Sequence, residues 1–362
     1  MVLMEWAAAI FPMPPPGGAP IFPPITRVEK AMLILEKRID VREAAPVLGA
    51  PLEMAVTLCL PDPALMPPRP VAIFAAPGGG YSRRYFDLRF DAHDGYGEAR
   101  WHAERGIIHV AIDHVGVGDS TIPDLSKIDF QTLAATHDSC VRQVARLLER
   151  GEADKRFPAT GPLFKVGMGQ SMGGGVTILT QGRFAPFDAI APCGVSAIHT
   201  VLPQRDEAAL EKGKRRFLPV AEGRVTSHEQ TDHEGVDYLY AFHWEDVPAD
   251  ILHEDMKGGY PIRETAPDFG SLTIPHCAVR MMLPGAFAED AARVAVPVLV
   301  ANGERDTCPH PHREAAAYSA SRDVTIFIAP TMAHMHNFAS TRAILWEKLH
   351  GWSRMLAAAA AG

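Results

Sequence analysis

Residues 169–173 read Gly-Gln-Ser-Met-Gly and follow the apolar run Phe164-Lys165-Val166-Gly167-Met168. A serine with a glycine two residues away on each side suits a sharp turn from strand to helix. The hydroxyl stands at the apex, and side chains at 169 and 173 would collide with the adjoining strand and helix. Such a serine attacks an acyl carbon only when a base takes its proton and an acid holds that base in one tautomer. Two later stretches supply these groups. A strand-like run at 296–302 leads into Gly303-Glu304-Arg305-Asp306, and another at 324–329 leads into Pro330-Thr331-Met332-Ala333-His334-Met335-His336. Each delivers its polar residue beyond the carboxyl end of a strand, where sites on parallel sheets gather. Asp306 is the candidate acid, with Glu304 second; His334 is the candidate base, with His336 second.

An acyl-transfer oxyanion also needs preorganised donors. The N–H of Met172, next after the serine at the start of a helix, is the first. The loop Pro77-Gly78-Gly79-Gly80-Tyr81 offers the second, from Gly79 or Gly80, because glycines let backbone amides approach a ligand.

The elements that must hold these residues are visible in the hydropathy pattern. Strands are expected at 26–40, 52–61, 71–76, 106–113, 164–169, 187–192, 296–302 and 324–329. Helices are expected at 92–105 and from Phe130 onward, where Leu133, His137, Cys140, Val141, Val144, Leu147 and Leu148 recur at helical spacing before Gly151. Strands alternating with helices predict a parallel sheet with right-handed crossovers after an antiparallel start. Between 199 and 294 the rhythm is replaced by charged, proline-containing and aromatic segments, too long for a loop. The expected organisation is a Pro/Gly-rich arm at 1–25, a first core part at 26–198, a cap at 199–294 and a second core part at 295–362.

With these pieces assembled the chain resembles the α/β-hydrolase family, in particular its capped members with a Gly-rich oxyanion loop. Residues 113–120, Asp-His-Val-Gly-Val-Gly-Asp-Ser, are similar to the family's D-x-x-G-x-G-x-S turn; Gly303 to Asp306 match its G-x-x-D acid loop; Ala333-His334 match its base-bearing turn. The chain order Ser, Asp, His is the family's order. The likeness spans about 26–200 and 295–350. It implies a mostly parallel central sheet flanked by helices with an inserted cap, and structural rather than catalytic roles for Asp113 and His114. Pro77 stands where many relatives carry histidine.

The activity expected is a serine hydrolase cleaving a small-to-medium apolar carboxylic ester through an acyl-enzyme on Ser171. Lactone, thioester, amide or carbon–carbon cleavage and acyl transfer stay open, as does a non-catalytic binder on the same scaffold. Tyr81, His243 and Trp244 are expected at the substrate, within an aromatic group that includes Tyr238, Tyr240 and Phe242, with Met281, Met282 and Phe287 adding apolar surface. The chemistry requires no cofactor. Cys308-Pro309-His310-Pro311-His312 could converge on a metal only in an extended segment, and no metal is expected there.

A net charge of −8 argues against a nucleic-acid surface. Five widely spaced cysteines without a C-x-x-C pair argue against a disulfide framework, and no apolar run approaches a membrane span. A cytoplasmic protein with a small-molecule partner is therefore expected, its homo-oligomeric state open.

Overall fold

The computed structural model describes residues 32–260 and 262–361. The proposed N-terminal arm lies outside them. Eight strands form one sheet: β1 (Leu33–Asp40), β2 (Glu53–Leu60), β3 (Val71–Ala76), β4 (Ile108–Ile112), β5 (Phe164–Gln170), β6 (Ala189–Cys193), β7 (Val298–Arg305) and β8 (Val324–Ala333). Their order is β1-β2-β4-β3-β5-β6-β7-β8, antiparallel between β1, β2 and β4 and parallel from β4 onward. This is the α/β-hydrolase architecture expected from the sequence.

Nine helices accompany the sheet among the described residues: α1 (Glu98–Ala103), α2 (Phe130–Glu149), α3 (Met172–Phe184), α4 (Glu207–Arg215), α5 (Leu218–Ala221), α6 (Tyr238–Phe242), α7 (Ala249–Met256), α8 (Ala288–Arg293) and α9 (Arg342–Ala359). The central strands are buried on both faces, which is why β3 reads Val-Ala-Ile-Phe-Ala-Ala with no polar residue. Its alternate residues still divide. Ala72 and Phe74 join the core under α2, α3 and α8, while Val71, Ile73 and Ala75 join the core under α1 and α9. Helix α2 begins where Asp129 and Thr132 cap one another, the Asp129 carboxylate accepting from the Thr132 N–H at 2.7 Å and the Thr132 hydroxyl from the Asp129 N–H at 2.8 Å. Leu133, His137, Cys140, Val141, Val144 and Leu148 on one stripe of it are buried.

Since β3 to β8 run parallel, the loops after β3, β5, β7 and β8 leave by the same edge of the sheet. Register then sets how near they come. Arg305 at the end of β7 lies opposite Ala333 at the end of β8, so Asp306 and His334 leave adjacent strands at one level. The segment between β6 and β7 carries α4 to α8 and no named strand. Its last helix belongs with the sheet layers: Arg183 of α3 grips Asp290 of α8 through two bonds of 2.9 and 3.0 Å.

Candidate active site

Ser171 sits between β5 and α3 with φ 55° and ψ −118°, a strained conformation for a residue with a side chain. The turn is held by the Ser171 N–H on the Cys193 carbonyl (2.8 Å) and by Gly175 N–H on the Ser171 carbonyl (3.0 Å). Its tightness explains the flanking glycines. A Cβ on Gly169 would strike the Gly173 backbone, and one on Gly173 would strike the Ala76 carbonyl of β3.

His334 Nε2 lies 2.9 Å from Ser171 Oγ, and its Nδ1 lies 2.7 Å from Asp306 Oδ1. A carboxylate only accepts, so Nδ1 carries the proton and Nε2 is left to receive one from the hydroxyl. Asp306 is saturated by four donors: Oδ1 also accepts from the Thr307 N–H at 2.7 Å, and Oδ2 accepts from the Gly303 N–H at 2.8 Å and from His336 Nε2 at 2.6 Å. Burial pushes this carboxyl upward, yet the neighbouring His336 and His334 and their hydrogen bonds outweigh it and hold Asp306 well below the usual carboxylate range. Glu304, the second choice for the acid, is exposed and accepts from the Thr331 N–H instead. His336, the second choice for the base, reaches the far oxygen of Asp306.

The glycine loop faces the serine from the end of β3. Gly79, with Ser171, Met172 and His334, lines a cavity of about 720 Å³ that includes its open mouth; Gly80 does not line it. Two residues from between β6 and β7 bond the loop carbonyls. The Tyr260 hydroxyl donates to the Gly79 carbonyl at 3.2 Å, and Arg263 Nε donates to the Gly80 carbonyl at 3.2 Å. In a trans peptide the following N–H points opposite to the carbonyl, so Tyr260 turns the Gly80 N–H away from its own hydroxyl. Below the loop, His114 Nε2 donates to the Pro77 carbonyl (2.9 Å), leaving its Nδ1 to accept from His137 Nε2 (2.8 Å). His114 is thus a support of the loop, and Asp113 serves likewise by accepting from the Arg83 N–H (2.5 Å) and from Arg83 Nη1 (2.6 Å).

The three residues expected at the substrate stand elsewhere. Tyr81 is fully buried with its hydroxyl on Asp255, at 2.8 Å from both carboxylate oxygens, and His243 Nε2 bonds Asp255 Oδ2 at 2.8 Å. Trp244 lies against the Arg305 guanidinium, 4.6 Å from ring centroid to Cζ. None of them lines the cavity. The neighbouring residues do: Tyr238 and Phe242 share a face of α6 by their four-residue spacing, and Met281 and Met282 join them. Tyr240, on the other side of α6, packs under Arg305, and Phe287 is buried in the core.

Gln170, to which the sequence assigns no role, is joined to His334. Its side-chain amide donates to the His334 carbonyl at 2.8 Å, tying the residue before the serine to the loop after β8. Its place inside the pentapeptide was the available signal. Cys308 is buried while His310 and His312 are exposed, so they share no face, and among the described residues no group of three His, Cys, Asp or Glu side chains could hold a metal ion. No described helix is long and apolar enough to cross a membrane.

No protein-family model matches the chain, and no curated protein is similar to it in sequence. Solved structures are similar in shape. A haloalkane dehalogenase loop variant from Bradyrhizobium elkanii superposes with a TM-score of 0.59 at 15% identity, over 91% of this chain and 99% of that one. A thermophilic esterase from Thermogutta terrifontis gives 0.55 at 15%, over 89% and 99%. A proline iminopeptidase from Mycobacterium smegmatis gives 0.55 at 17%, over 90% and 100%. At these identities the likeness establishes the α/β-hydrolase fold.

Proposed function

We propose that the protein is a serine hydrolase that cleaves an apolar carboxylic ester through an acyl-enzyme on Ser171. One observation carries the reading: the unbroken chain from Ser171 Oγ through His334 to Asp306, with spacings of 2.9 and 2.7 Å, beside an apolar cavity. Neighbours of this fold that carry the names esterase and proline iminopeptidase are consistent with acyl chemistry on such a scaffold.

In this reading Ser171 Oγ attacks the ester carbonyl carbon as its proton passes to His334 Nε2. Asp306 keeps the imidazole oriented and offsets its charge. The tetrahedral oxyanion is bound by the N–H of Met172 and that of Gly79, the glycine on the cavity wall. Collapse expels the alcohol, which takes the proton from Nε2; a water molecule then gives its proton to the same nitrogen and attacks the acyl carbon, releasing the acid and Ser171. The segment 199–294 acts as a cap that excludes bulk water and selects the substrate.

The cavity wall supports an apolar acyl group because its polar side chains are already engaged. The Thr200 and Thr307 hydroxyls donate to the Ser196 and Gly194 carbonyls, and Tyr260 to Gly79. A fluorophosphonate probe should label the purified protein on Ser171, with labelling lost in Ser171→Ala, and p-nitrophenyl butyrate should be turned over. A folded protein that takes no label and turns over no ester would overturn the reading.

A further inference from the structure

Arg216 is the first residue past α4 and lies half-buried behind the cavity wall. Its Nη1 donates to the Tyr238 hydroxyl at 3.5 Å, and that hydroxyl is 2.6 Å from His233 Nδ1. Both Tyr238 and His233 line the cavity that holds Ser171. His233 Nε2 bonds the His228 carbonyl at 2.8 Å and must donate there, so its Nδ1 accepts the Tyr238 proton. The Tyr238–His233 pair is therefore a closed chain whose oxygen accepts from Arg216. The arginine holds the unspent donors.

Its Nε is buried with no acceptor. A buried N–H without a partner costs free energy that a bound acceptor would recover. Three other cations between β6 and β7 sit on carboxylates: Arg263 on Asp255, Arg205 on Asp237 and Lys214 on Glu211. Among the described residues no carboxylate stands within ion-pair distance of Arg216. Placement after a helix end accounts for a cation there, and leaves the unmatched Nε–H unexplained. A smaller cavity lined by Arg216, Lys214 and His199 shares Thr200, Leu202 and Phe217 with the larger one, so the two adjoin and Arg216 stands on the wall of the smaller.

The path from the reacting atoms to this cation is apolar. Phe242 lies 5.2 Å from the His334 ring and Tyr238 lies 5.5 Å from Phe242, centroid to centroid. A ligand with its acyl carbon at Ser171 would run past two aromatic rings before meeting Arg216.

We propose that the cavity takes an ester whose acyl arm is an apolar spacer ended by a carboxylate, with Arg216 binding that carboxylate and Tyr238 and His233 orienting the guanidinium. The proposal rests on Ser171 being the acyl-transfer nucleophile. Hydrolysis then consumes one water and releases an alcohol and a dicarboxylic acid. Arginine suits the role because its planar fork matches a carboxylate with two parallel hydrogen bonds.

The test compares p-nitrophenyl half-esters of adipic and suberic acid with the neutral hexanoate and octanoate. The ratio of kcat/KM for charged over neutral ester should fall about tenfold or more in Arg216→Ala, mainly through KM, with partial retention in Arg216→Lys and a smaller fall in Tyr238→Phe. A second measurement needs no turnover: calorimetric binding of suberate to Ser171→Ala, expected to be lost in Ser171→Ala/Arg216→Ala. Equal binding of suberate by both proteins, no binding by either, or an unchanged ratio of kcat/KM would overturn the carboxylate site. Suberate binding that depends on Arg216, in a protein that hydrolyses no ester, would uphold the site and remove the hydrolase reading.

Discussion

Two buried aspartates in this molecule are each bonded to histidine, and their surroundings separate them. Asp306 holds His334 and His336 on its two oxygens, and His334 goes on to Ser171 at the cavity. Asp255 holds His243, both oxygens near the Tyr81 hydroxyl, and Arg263 at 3.0 Å. Both are held below the ordinary carboxylate range although burial pushes each upward, Asp306 by its two histidines and Asp255 by His243 and Arg263. The difference is what lies beyond the imidazole. His243 Nδ1 is buried with no partner, whereas His334 Nε2 faces a hydroxyl. An Asp–His pair becomes a proton relay only if its second nitrogen has somewhere to send a proton. The Asp255 group instead ties α7 to the glycine loop after β3, because Arg263 also bonds the Gly80 carbonyl.

The comparison breaks most sharply on activity. Asp306→Asn should lower kcat on a p-nitrophenyl ester by roughly 10⁴-fold, since the amide favours the wrong imidazole tautomer. Asp255→Asn should act chiefly on stability. Leaving the Arg263 guanidinium buried without its carboxylate should cost about 3–5 kcal/mol, read from denaturant unfolding. If Asp255→Asn instead abolishes turnover with stability intact, the two pairs have been assigned the wrong way round.

Within the Asp306 group the two histidines should differ as well. His334→Ala should remove turnover by about 10³-fold or more, whereas His336→Ala should leave the larger share, within about tenfold of the parent. The smaller loss reflects one of four donors leaving Asp306. Steady-state kinetics of both variants check this, and the reverse order would move the base by two residues.

The smallest effect is on acid stability. Burial holds His114 at about 4 and lowers His137 as well, against an ordinary 6.5. Below 6.5 the unfolded chain binds protons that the folded chain refuses, so their contribution is full above 6.5 and is lost as pH falls toward about 4. Asp306, depressed in the folded state, keeps its contribution down to the ordinary carboxylate range and loses it only below. Tm should therefore decline between pH 6.5 and 4, before Asp306 is challenged. A flat Tm across that window contradicts the burial of neutral imidazoles.

Much of the sheet was readable because central strands of a parallel sheet must be apolar on both faces. The eight expected strands appear with shifts of a few residues at their ends, and the described part of the first begins at Leu33. Helix 92–105 shrinks to α1 because residues 92–97 instead form a loop whose Gly95 has φ 78°. The strand-end positions of Ser171, Asp306 and His334 were legible for the same reason. The cavity-lining residues were not. An aromatic run such as Tyr238 to Trp244 does not reveal which rings face inward until the helix phase of α6 is known. Tyr81 and His243 were claimed by Asp255, whose partnership with Arg263 leaves no mark in local sequence.

The order of motifs along the chain thus determined the sheet, the turn that carries Ser171 and the candidates for acid and base, because hydrophobic period and turn sterics act over a few residues. Tertiary structure decided which donors saturate Asp306, which glycine faces the cavity, and that the buried Arg216 Nε found no acceptor among the described residues. Hydrogen-bond partnership between residues far apart in sequence, such as the 28 positions from Asp306 to His334 or the 174 from Tyr81 to Asp255, is settled by packing geometry, which no short window of residues encodes.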